Sequence, residues 1–370
     1  MTGATTIADW RRALDALQAR HPMLSVCIDT RVNRVPHFTA SDGFEIPLRI
    51  AAGGSTWERE VEHEMRTLFD PRMAPLARTV LIHEPERTFV ILVAHHSIAD
   101  GMSSVFMLRD LLTALGGGTL STYPFPRSLD EILGVPVRTS TEPGVTFSYD
   151  LARTFVEAPV YVRSTVVGAE LTEELRERTH REGVTIHAII CAAVAAAGRE
   201  VDAVWRDNPL RIFSPVDIRR LVGLQDECMV AFSKANTILE TNSMGDLWGT
   251  ARVIKETLRP FKTQVGNAPV LAAISEAMAA NLDVEQGAEL NRAAFSEEVM
   301  VSNVGLLPYS PHFGNLKLKS LWAPVILRGH APEQTIGVAT VNGQIHFVHS
   351  SQNPIPGLLG GIQKQLSRAV

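Results

Sequence analysis

Residues 89–101 read FVILVAHHSIADG, and this stretch decides how the rest of the chain is interpreted. Its first six residues are apolar and rich in β-branched side chains. A short run of this kind, bounded by turn residues, predicts a strand buried on both faces. His95 and His96 end the run, and Asp100 and Gly101 follow after three further residues. The strand therefore carries an imidazole pair, a carboxylate and a glycine to one place, which we expect to be the floor of a cleft.

The elements around this stretch predict an α/β unit. Residues 104–115 predict a helix directly after it, with Ser103 as the cap. Residues 79–83 predict a neighbouring strand, and the turn at residues 84–87 joins the two strands. The histidine pair is therefore expected at the mouth of a sheet in the first part of the chain.

The pattern His95-His96-x-x-x-Asp100-Gly101 resembles the active-site motif of the CoA-dependent acyltransferase superfamily. That group includes chloramphenicol acetyltransferases, carnitine acyltransferases, condensation domains of non-ribosomal peptide synthetases and polyketide-associated acyltransferases. A bare His-x-x-x-Asp occurs often by chance, whereas the doubled histidine with Asp-Gly after a buried strand is much more specific. The resemblance implies an α/β fold with two chloramphenicol-acetyltransferase-like lobes. Each lobe is a mixed sheet packed with helices, and the active site lies in the cleft between them.

Further segments carry the same resemblance along most of the chain. Residues 20–24 (RHPML) are similar to the entry of the condensation and polyketide-associated branches, which are the nearest. Residues 183–185 (GVT), between two predicted helices, resemble the second half of that fold. Residues 302–305 (SNVG) resemble a strand found near the active site, and residues 215–219 (PVDIR) resemble the segment that supplies a structural arginine.

Length and composition divide the chain into two lobes. A chain of 370 residues is too long for one ordinary core. Glycine, proline, serine and threonine replace the periodic apolar pattern after residue 115, which is typical of a linker. We therefore predict an N-terminal lobe over residues 1–130 with the histidine motif, a linker over residues 131–150, and a C-terminal lobe over residues 151–370.

Composition also excludes several classes of function. The net charge is −5 and no basic block stands out, so nucleic acid is not an expected partner. Cys27, Cys191 and Cys228 lack paired spacing, which argues against disulfides and zinc and fits a reducing cytosol. The longest apolar run, residues 188–197, is too short to span a bilayer, and the N-terminus has no signal-peptide pattern. We expect a cytoplasmic protein without a membrane span or a metal site.

The two histidines are expected to have different roles. A neutral imidazole, with an unperturbed pKa of about 6.5, can take a proton at neutral pH and return it. In the superfamily the second histidine of the pair is the general base, and this implies that role for His96. The alternative is a core histidine whose hydrogen bonds are satisfied. His95 points to the opposite side of the strand, so a structural role is expected for it.

Asp100 and Gly101 each leave two interpretations open. Asp100 could orient His96 as in a catalytic triad. The resemblance instead implies that Asp100 forms a structural ion pair with an arginine, which we assign to Arg219, with Arg220 as the second choice. Gly101 could let backbone approach the substrate closely, or it could be a simple turn glycine.

Ser302 and Asn303 are candidate donors to an oxyanion. The alternative is that they only cap the end of a strand through local turn bonds. By contrast, His346 and His349 are predicted to face opposite sides of a strand, so they do not suggest a metal site.

The predicted activity is acyl transfer to the hydroxyl or amine of a small-molecule acceptor. The donor would be a CoA or carrier-protein thioester, so acyl-CoA or an acyl or peptidyl carrier protein is the expected co-substrate. No tightly bound cofactor and no metal are expected. The setting we favour is bacterial secondary metabolism or lipid assembly. Two other classes stay open, namely hydrolysis or cyclisation of a thioester and a catalytically idle binding or scaffold protein of the same fold.

Overall fold

The computed structural model describes residues 1–29, 36–41, 43–132, 134, 157–241, 246–280, 282, 284–329 and 332–370. Apart from residues 131, 132 and 134, the predicted linker over residues 131–150 lies outside this part of the chain. The lobe boundaries therefore stay a prediction.

In the residues that the structure describes, the first lobe contains a three-stranded mixed sheet, a two-stranded ribbon and four helices. The helices are α1 (Ile7–Arg20), α2 (Trp57–Arg66), α3 (Gly101–Leu115) and α4 (Leu129–Ile132). The strands are β1 (Val26–Asp29), β2 (His37–Ala40), β3 (Leu48–Ile50), β4 (Ala77–Glu84) and β5 (Arg87–Ala94). Strand β4 is parallel to β3 and antiparallel to β5, while β1 and β2 form the ribbon.

Strand β5 corrects one prediction from the sequence. It ends the sheet order β3-β4-β5, and its residues 89–94 are half-buried, whereas the apolar run predicted a strand buried on both faces. Val90 and Leu92 pack against the core of the first lobe, while Ile91 packs against a second cluster that includes residues of the C-terminal half. The run is apolar on both faces because the strand lies between two apolar clusters.

The second lobe is built on a six-stranded mixed sheet in the order β6-β13-β12-β9-β7-β8. Its strands are β6 (Tyr161–Val167), β7 (Leu210–Asp217), β8 (Phe232–Leu239), β9 (Val299–Leu306), β12 (Gln334–Val341) and β13 (Gln344–Ser351). Two short strands, β10 (His312–Phe313) and β11 (Leu316–Lys317), form a separate ribbon. The helices are α5 (Ala169–Arg181), α6 (Ile186–Val201), α7 (Ala203–Asp207), α8 (Leu247–Leu258), α9 (Gln264–Ala279), α10 (Val284–Ala294) and α11 (Leu358–Ser367).

The two faces of this sheet have different neighbours. On one face Ile336 and Val338 pack in a core with the alanine-rich helix α6. Residues at the alternate positions face the other way. There, Val341 joins the core of the first lobe and Val348 packs with Val61 of α2. The first lobe therefore covers the face of the sheet opposite α6, and the cleft lies between them.

A segment of the second half, residues 307–328, ties the lobes together. Leu307, Leu316 and Leu318 are buried in the core of the first lobe. The chain then returns over the large sheet, where the carbonyl oxygen of Pro324 lies 2.0 Å from the position that a Cβ on Gly337 would take. Only glycine permits this approach.

By length and hydropathy, no single helix in the described ranges could cross a membrane. Helices α5 and α6 reach the length and hydropathy of a membrane span only when taken together, and their axes are bent by 106° to each other.

Candidate active site

The turn after β5 fixes the backbone of the histidine pair. The His95 N–H donates to the Leu76 carbonyl at 2.9 Å, and the Ile98 N–H donates to the His95 carbonyl at 3.0 Å. The Ile98 side chain is fully buried and anchors the turn in the core of the first lobe. The two imidazoles therefore extend from a backbone that is held at both ends.

His95 is held by its neighbours. Its Nδ1 lies 2.7 Å from the Ser97 hydroxyl and accepts from the Ser97 N–H at 3.3 Å, which favours the tautomer with the proton on Nε2. The ring meets Phe69 edge to face, with a centroid separation of 6.0 Å. Burial, and after it the nearby His96, lowers the pKa of His95 below its ordinary value. A neutral, positioned His95 follows from these contacts.

His96 has the opposite character. Its side chain is exposed, and its ring lies 6.1 Å from the ring of Phe232, the first residue of β8. Among the described residues none forms a hydrogen bond with the imidazole. The imidazole of His96 thus makes no hydrogen bond within the described ranges and faces the second lobe across the cleft.

Asp100 and Arg219 form a bidentate ion pair with two bonds of 2.8 Å. Both residues are buried, with exposed fractions of 6% and 2%. Burial alone would raise the pKa of Asp100, but the hydrogen bonds and charge of Arg219 outweigh it, so this pKa lies below its ordinary value. Arg220, the second choice for this partner, is exposed.

The remaining bonds of Asp100 also go to groups other than His96. Its carboxylate caps α3 by accepting from the Ser103 N–H at 2.8 Å, so α3 begins three residues earlier than the sequence predicted. It also accepts from the Ser103 hydroxyl and from the Ala231 N–H, at 3.0 and 2.9 Å. Both oxygens are engaged, and within the described ranges neither bonds to His96. The geometry therefore favours the ion-pair interpretation.

Arg219 also forms hydrogen bonds with β7, with the connection between β7 and β8, and with α3. Its guanidinium donates to the carbonyl of Met229 at 2.8 Å, to Asp217 at 3.0 Å and to the Ser103 hydroxyl at 2.9 Å. Because β8 begins shortly after Met229, these bonds fix the start of β8 beside the histidine turn. This is how Phe232 of the second lobe comes to face His96.

Ser302 and Asn303 lie on β9 just before an irregularity in the sheet. The parallel register of β9 with β12 shifts there, which leaves Val304 outside the regular pairing. The Asn303 side-chain oxygen accepts from the Gly305 N–H at 2.8 Å, and Gly305 has a φ of +75°. Asn303 therefore forms the local turn bond that was one of the two interpretations of this segment. Ser302 is half-buried.

Gly101, the last residue of the histidine motif, lies next to this part of β9. A Cβ at Gly101 would lie 3.5 Å from Cγ1 of Val304 and 3.4 Å from Cγ of Pro324. The start of α3 thus packs directly against the bulge of β9. At 3.4 and 3.5 Å these are ordinary van der Waals contacts, so a Cβ would fit at Gly101 and close packing does not require the glycine. The contact with Val304 places the bulge that follows Ser302 and Asn303 beside the motif.

An aromatic wall, formed by Phe213, Phe232 and Phe295, was not predicted from the sequence. Its ring centroids are 6.4 Å apart between Phe213 and Phe232 and 5.7 Å apart between Phe213 and Phe295. The Lys234 ammonium lies 5.0 Å from the Phe295 ring centroid and pairs with Glu297 at 2.5 Å. No apolar pattern along β7 or β8 marks the wall, and the pairing of these strands could not be read from the chain.

His346 and His349, on β13, each pack against another side chain. His346 packs edge to face on Trp322, with centroids 4.8 Å apart, whereas His349 lies 2.8 Å from the Gln334 side-chain oxygen. In the described part of the chain no three histidine, cysteine, aspartate or glutamate residues are grouped so that they could hold a metal ion.

Comparison with known families identifies the group to which the chain belongs. The sequence profile of the phthiocerol/phthiodiolone dimycocerosyl transferase C-terminus matches residues 157–347, just over half of the chain. The chain belongs to this family. The assignment to the acyltransferase and condensation-domain group, which the motif suggested, is thereby confirmed. A comparison with curated proteins returned no match.

Solved structures similar to this family member confirm the fold class. Polyketide synthase associated protein 5 from Mycobacterium tuberculosis has a TM-score of 0.67 at 18% identity, and the match covers 99% of this chain and 91% of that one. The first condensation domain of the calcium-dependent antibiotic synthetase, in complex with a substrate analogue, also has a TM-score of 0.67, at 15% identity, with 100% and 89% covered. The SgcC5 protein from Streptomyces globisporus has a TM-score of 0.64 at 14% identity, with 100% and 90% covered. The predicted two-lobed α/β fold is therefore correct, and family membership confirms the acyltransferase class.

Proposed function

We propose that this protein transfers an acyl group from a thioester to the hydroxyl or amine of a small-molecule acceptor, with His96 as the general base. The observation that carries the proposal is the unengaged imidazole of His96 beside Phe232 in the cleft. Its backbone is fixed, and none of the residues that the structure describes occupies its ring nitrogens with a hydrogen bond, which is the combination that a base needs.

The reaction proceeds without a covalent enzyme intermediate. His96 takes the proton from the acceptor O–H or N–H, and the acceptor atom attacks the thioester carbonyl carbon. The carbonyl electron pair moves onto oxygen and gives a tetrahedral oxyanion. When this intermediate collapses, the C–S bond breaks and His96 returns the proton to the leaving thiolate.

Ser302 and Asn303 are the proposed donors to the oxyanion. The Ser302 hydroxyl is half-buried on β9, near the start of α3. The turn bond from Gly305 occupies only the side-chain oxygen of Asn303 and leaves its NH₂ group to donate. Donors held in this way stabilise charge that develops in the transition state.

The donor is either acyl-CoA or an acyl chain on a carrier protein, and no tightly bound cofactor is needed. A polyketide synthase associated protein and the condensation domain of a synthetase among the structural neighbours support a carrier-protein donor. The same neighbours support a role in secondary metabolism, with lipid assembly as the second setting. Cytoplasmic localisation stays a prediction.

A thiol-release assay tests the proposal. The protein is incubated with a panel of acyl-CoAs, and then with acyl carrier proteins, and free thiol is followed with and without candidate alcohols and amines. Acceptor-dependent release that is lost in folded His96→Ala supports acyl transfer. Release that needs no acceptor indicates hydrolysis, and no release from either donor class indicates an idle binding protein.

A further inference from the structure

A second pocket lies on the helix face of the six-stranded sheet, away from the cleft. Helices α6, α8 and α11 and the end of β8 surround it, and its volume is about 350 Å³. This volume lies within the range of about 300–1,000 Å³ that is usual for small-molecule sites. Ala192, Ala195, Leu239 and Leu247 give it an apolar lining.

One wall of the pocket contains the buried guanidinium of Arg199. Arg199 is 5% exposed and donates only to backbone carbonyls, namely those of Trp205 (3.2 Å), Leu239 (2.7 Å) and Glu240 (3.2 Å). Within the described ranges its Nη1 has no acceptor and no carboxylate forms an ion pair with it. A buried charge is costly unless it is paired, so Arg199 favours an anion in the pocket.

The rim of the pocket adds a second cation. Arg206 is exposed and donates to the backbone carbonyls of Arg199 (3.0 Å) and Glu200 (3.3 Å). No ion pair joins it to a carboxylate in the part of the chain described above.

The acidic residue at the rim, Glu200, is already engaged. Its carboxylate accepts from Gln365 at 2.7 Å and lies 3.5 and 3.6 Å from the cationic groups of Lys364 and Arg368. The positive charge of Arg199 and Arg206 is therefore not offset by Glu200.

We propose that this pocket binds a monocarboxylate whose apolar body packs on the alanine lining. The carboxylate would accept from Nη1 of Arg199, with Arg206 beside it at the rim. Guanidinium groups match planar carboxylates, and a single buried positive charge matches a single negative charge better than a phosphate dianion. The apolar lining suits a short aliphatic chain or an aromatic ring.

Fluorine NMR on the whole protein tests this proposal, with 4-fluorobenzoate as the probe and 4-fluorobenzyl alcohol as its neutral counterpart. We expect the acid to bind and the alcohol to bind at least about tenfold more weakly, because the alcohol oxygen carries no negative charge to pair with the guanidinium. Arg199→Met should weaken acid binding by a similar factor. Arg176→Met, at an exposed arginine on α5, is the matched control and should leave it unchanged.

A second variant covers the case in which Arg199→Met does not fold. Ala196→Leu fills the pocket from a half-buried position on α6 and leaves Arg199 in place, and it should abolish acid binding. Ala169→Leu, at an exposed position of α5, is its control. Acid binding that survives Ala196→Leu, equal binding of the alcohol, or no binding of the acid at millimolar concentration would each overturn the proposal.

Discussion

Replacing Asp100 by alanine should destabilise the protein far more than a surface substitution does. The change leaves Arg219, which is 2% exposed, without its bidentate partner. Removing one member of a buried pair costs about 3–5 kcal/mol, and losing a helix cap costs about 1 kcal/mol more. Arg219 keeps its contacts with Asp217 and the Met229 carbonyl, so the lower end applies to the pair and the sum is about 4 kcal/mol.

Urea unfolding at pH 7 measures this loss, with Arg219→Met and the double variant completing a thermodynamic cycle. We expect the double variant to be more stable than Asp100→Ala, because it no longer buries an unpaired charge. The pKa of Asp100 is lowered in the folded protein, so its stabilisation is fully present above the unfolded pKa of about 3.9. That stabilisation is lost as the pH falls through the folded pKa. An unchanged unfolding midpoint together with a large loss of turnover would refute the structural role and favour orientation of His96.

Three further predictions concern the other site and core residues. His96→Ala should lower acyl transfer by about 10²- to 10⁴-fold with an unchanged circular dichroism spectrum. His95→Ala should instead lower stability more than it lowers turnover per folded molecule. A folded His96→Ala variant that keeps most of its activity would contradict the proposed role of His96 as the base. Ser302→Ala should lower kcat by about 10²-fold, and an effect on KM alone would place the oxyanion donors elsewhere. His349 is buried as the neutral form with its pKa lowered to about 4, so stability should fall as the pH drops from about 6.5 to 4, by about 3 kcal/mol. Because burial also lowers the pKa of His187 to about 4, that histidine causes a loss of stability over the same pH range, and His349→Gln should remove only the share that His349 causes, about 3 kcal/mol. An unaltered pH profile in urea titrations would show that His349 does not contribute to the loss.

What the sequence predicted well depends on local signals. A strand that ends at two histidines, followed by Asp-Gly and a helix, is encoded within residues 89–115, and the structure has these elements in that order. The partner of Asp100 is 119 positions away, and nothing in the spacing selects Arg219. That assignment came from the resemblance to a family and not from the residues themselves.

What the sequence did not predict depends on packing between distant segments. The aromatic wall requires β7 to pair with β8 and Phe295 to follow α10, which no local pattern encodes. Strand β5 is half-buried because it lies at the edge of its sheet, while the apolar clusters on its two faces account for its apolar sequence. An apolar run alone does not distinguish such an edge strand from a central one. Ser103 was predicted as the cap because serine is a usual one, but Asp100 both caps α3 and holds Arg219.

Asp100 is held by several hydrogen bonds, whereas the His96 imidazole makes none within the described ranges, and this difference suits two different roles in the motif. A general base must exchange protons, so its ring cannot be locked in strong hydrogen bonds, yet its position must be fixed to well within 1 Å. His96, the proposed base, meets both needs because its backbone and its neighbours in the chain are fixed while its ring is not. The turn bonds of His95 and Ile98 hold the chain on one side of His96, and the engaged carboxylate of Asp100 holds it on the other. Because Arg219 belongs to the second lobe, the position of the base depends on contact between the lobes, and disrupting that contact should reduce turnover even where His96 itself is untouched.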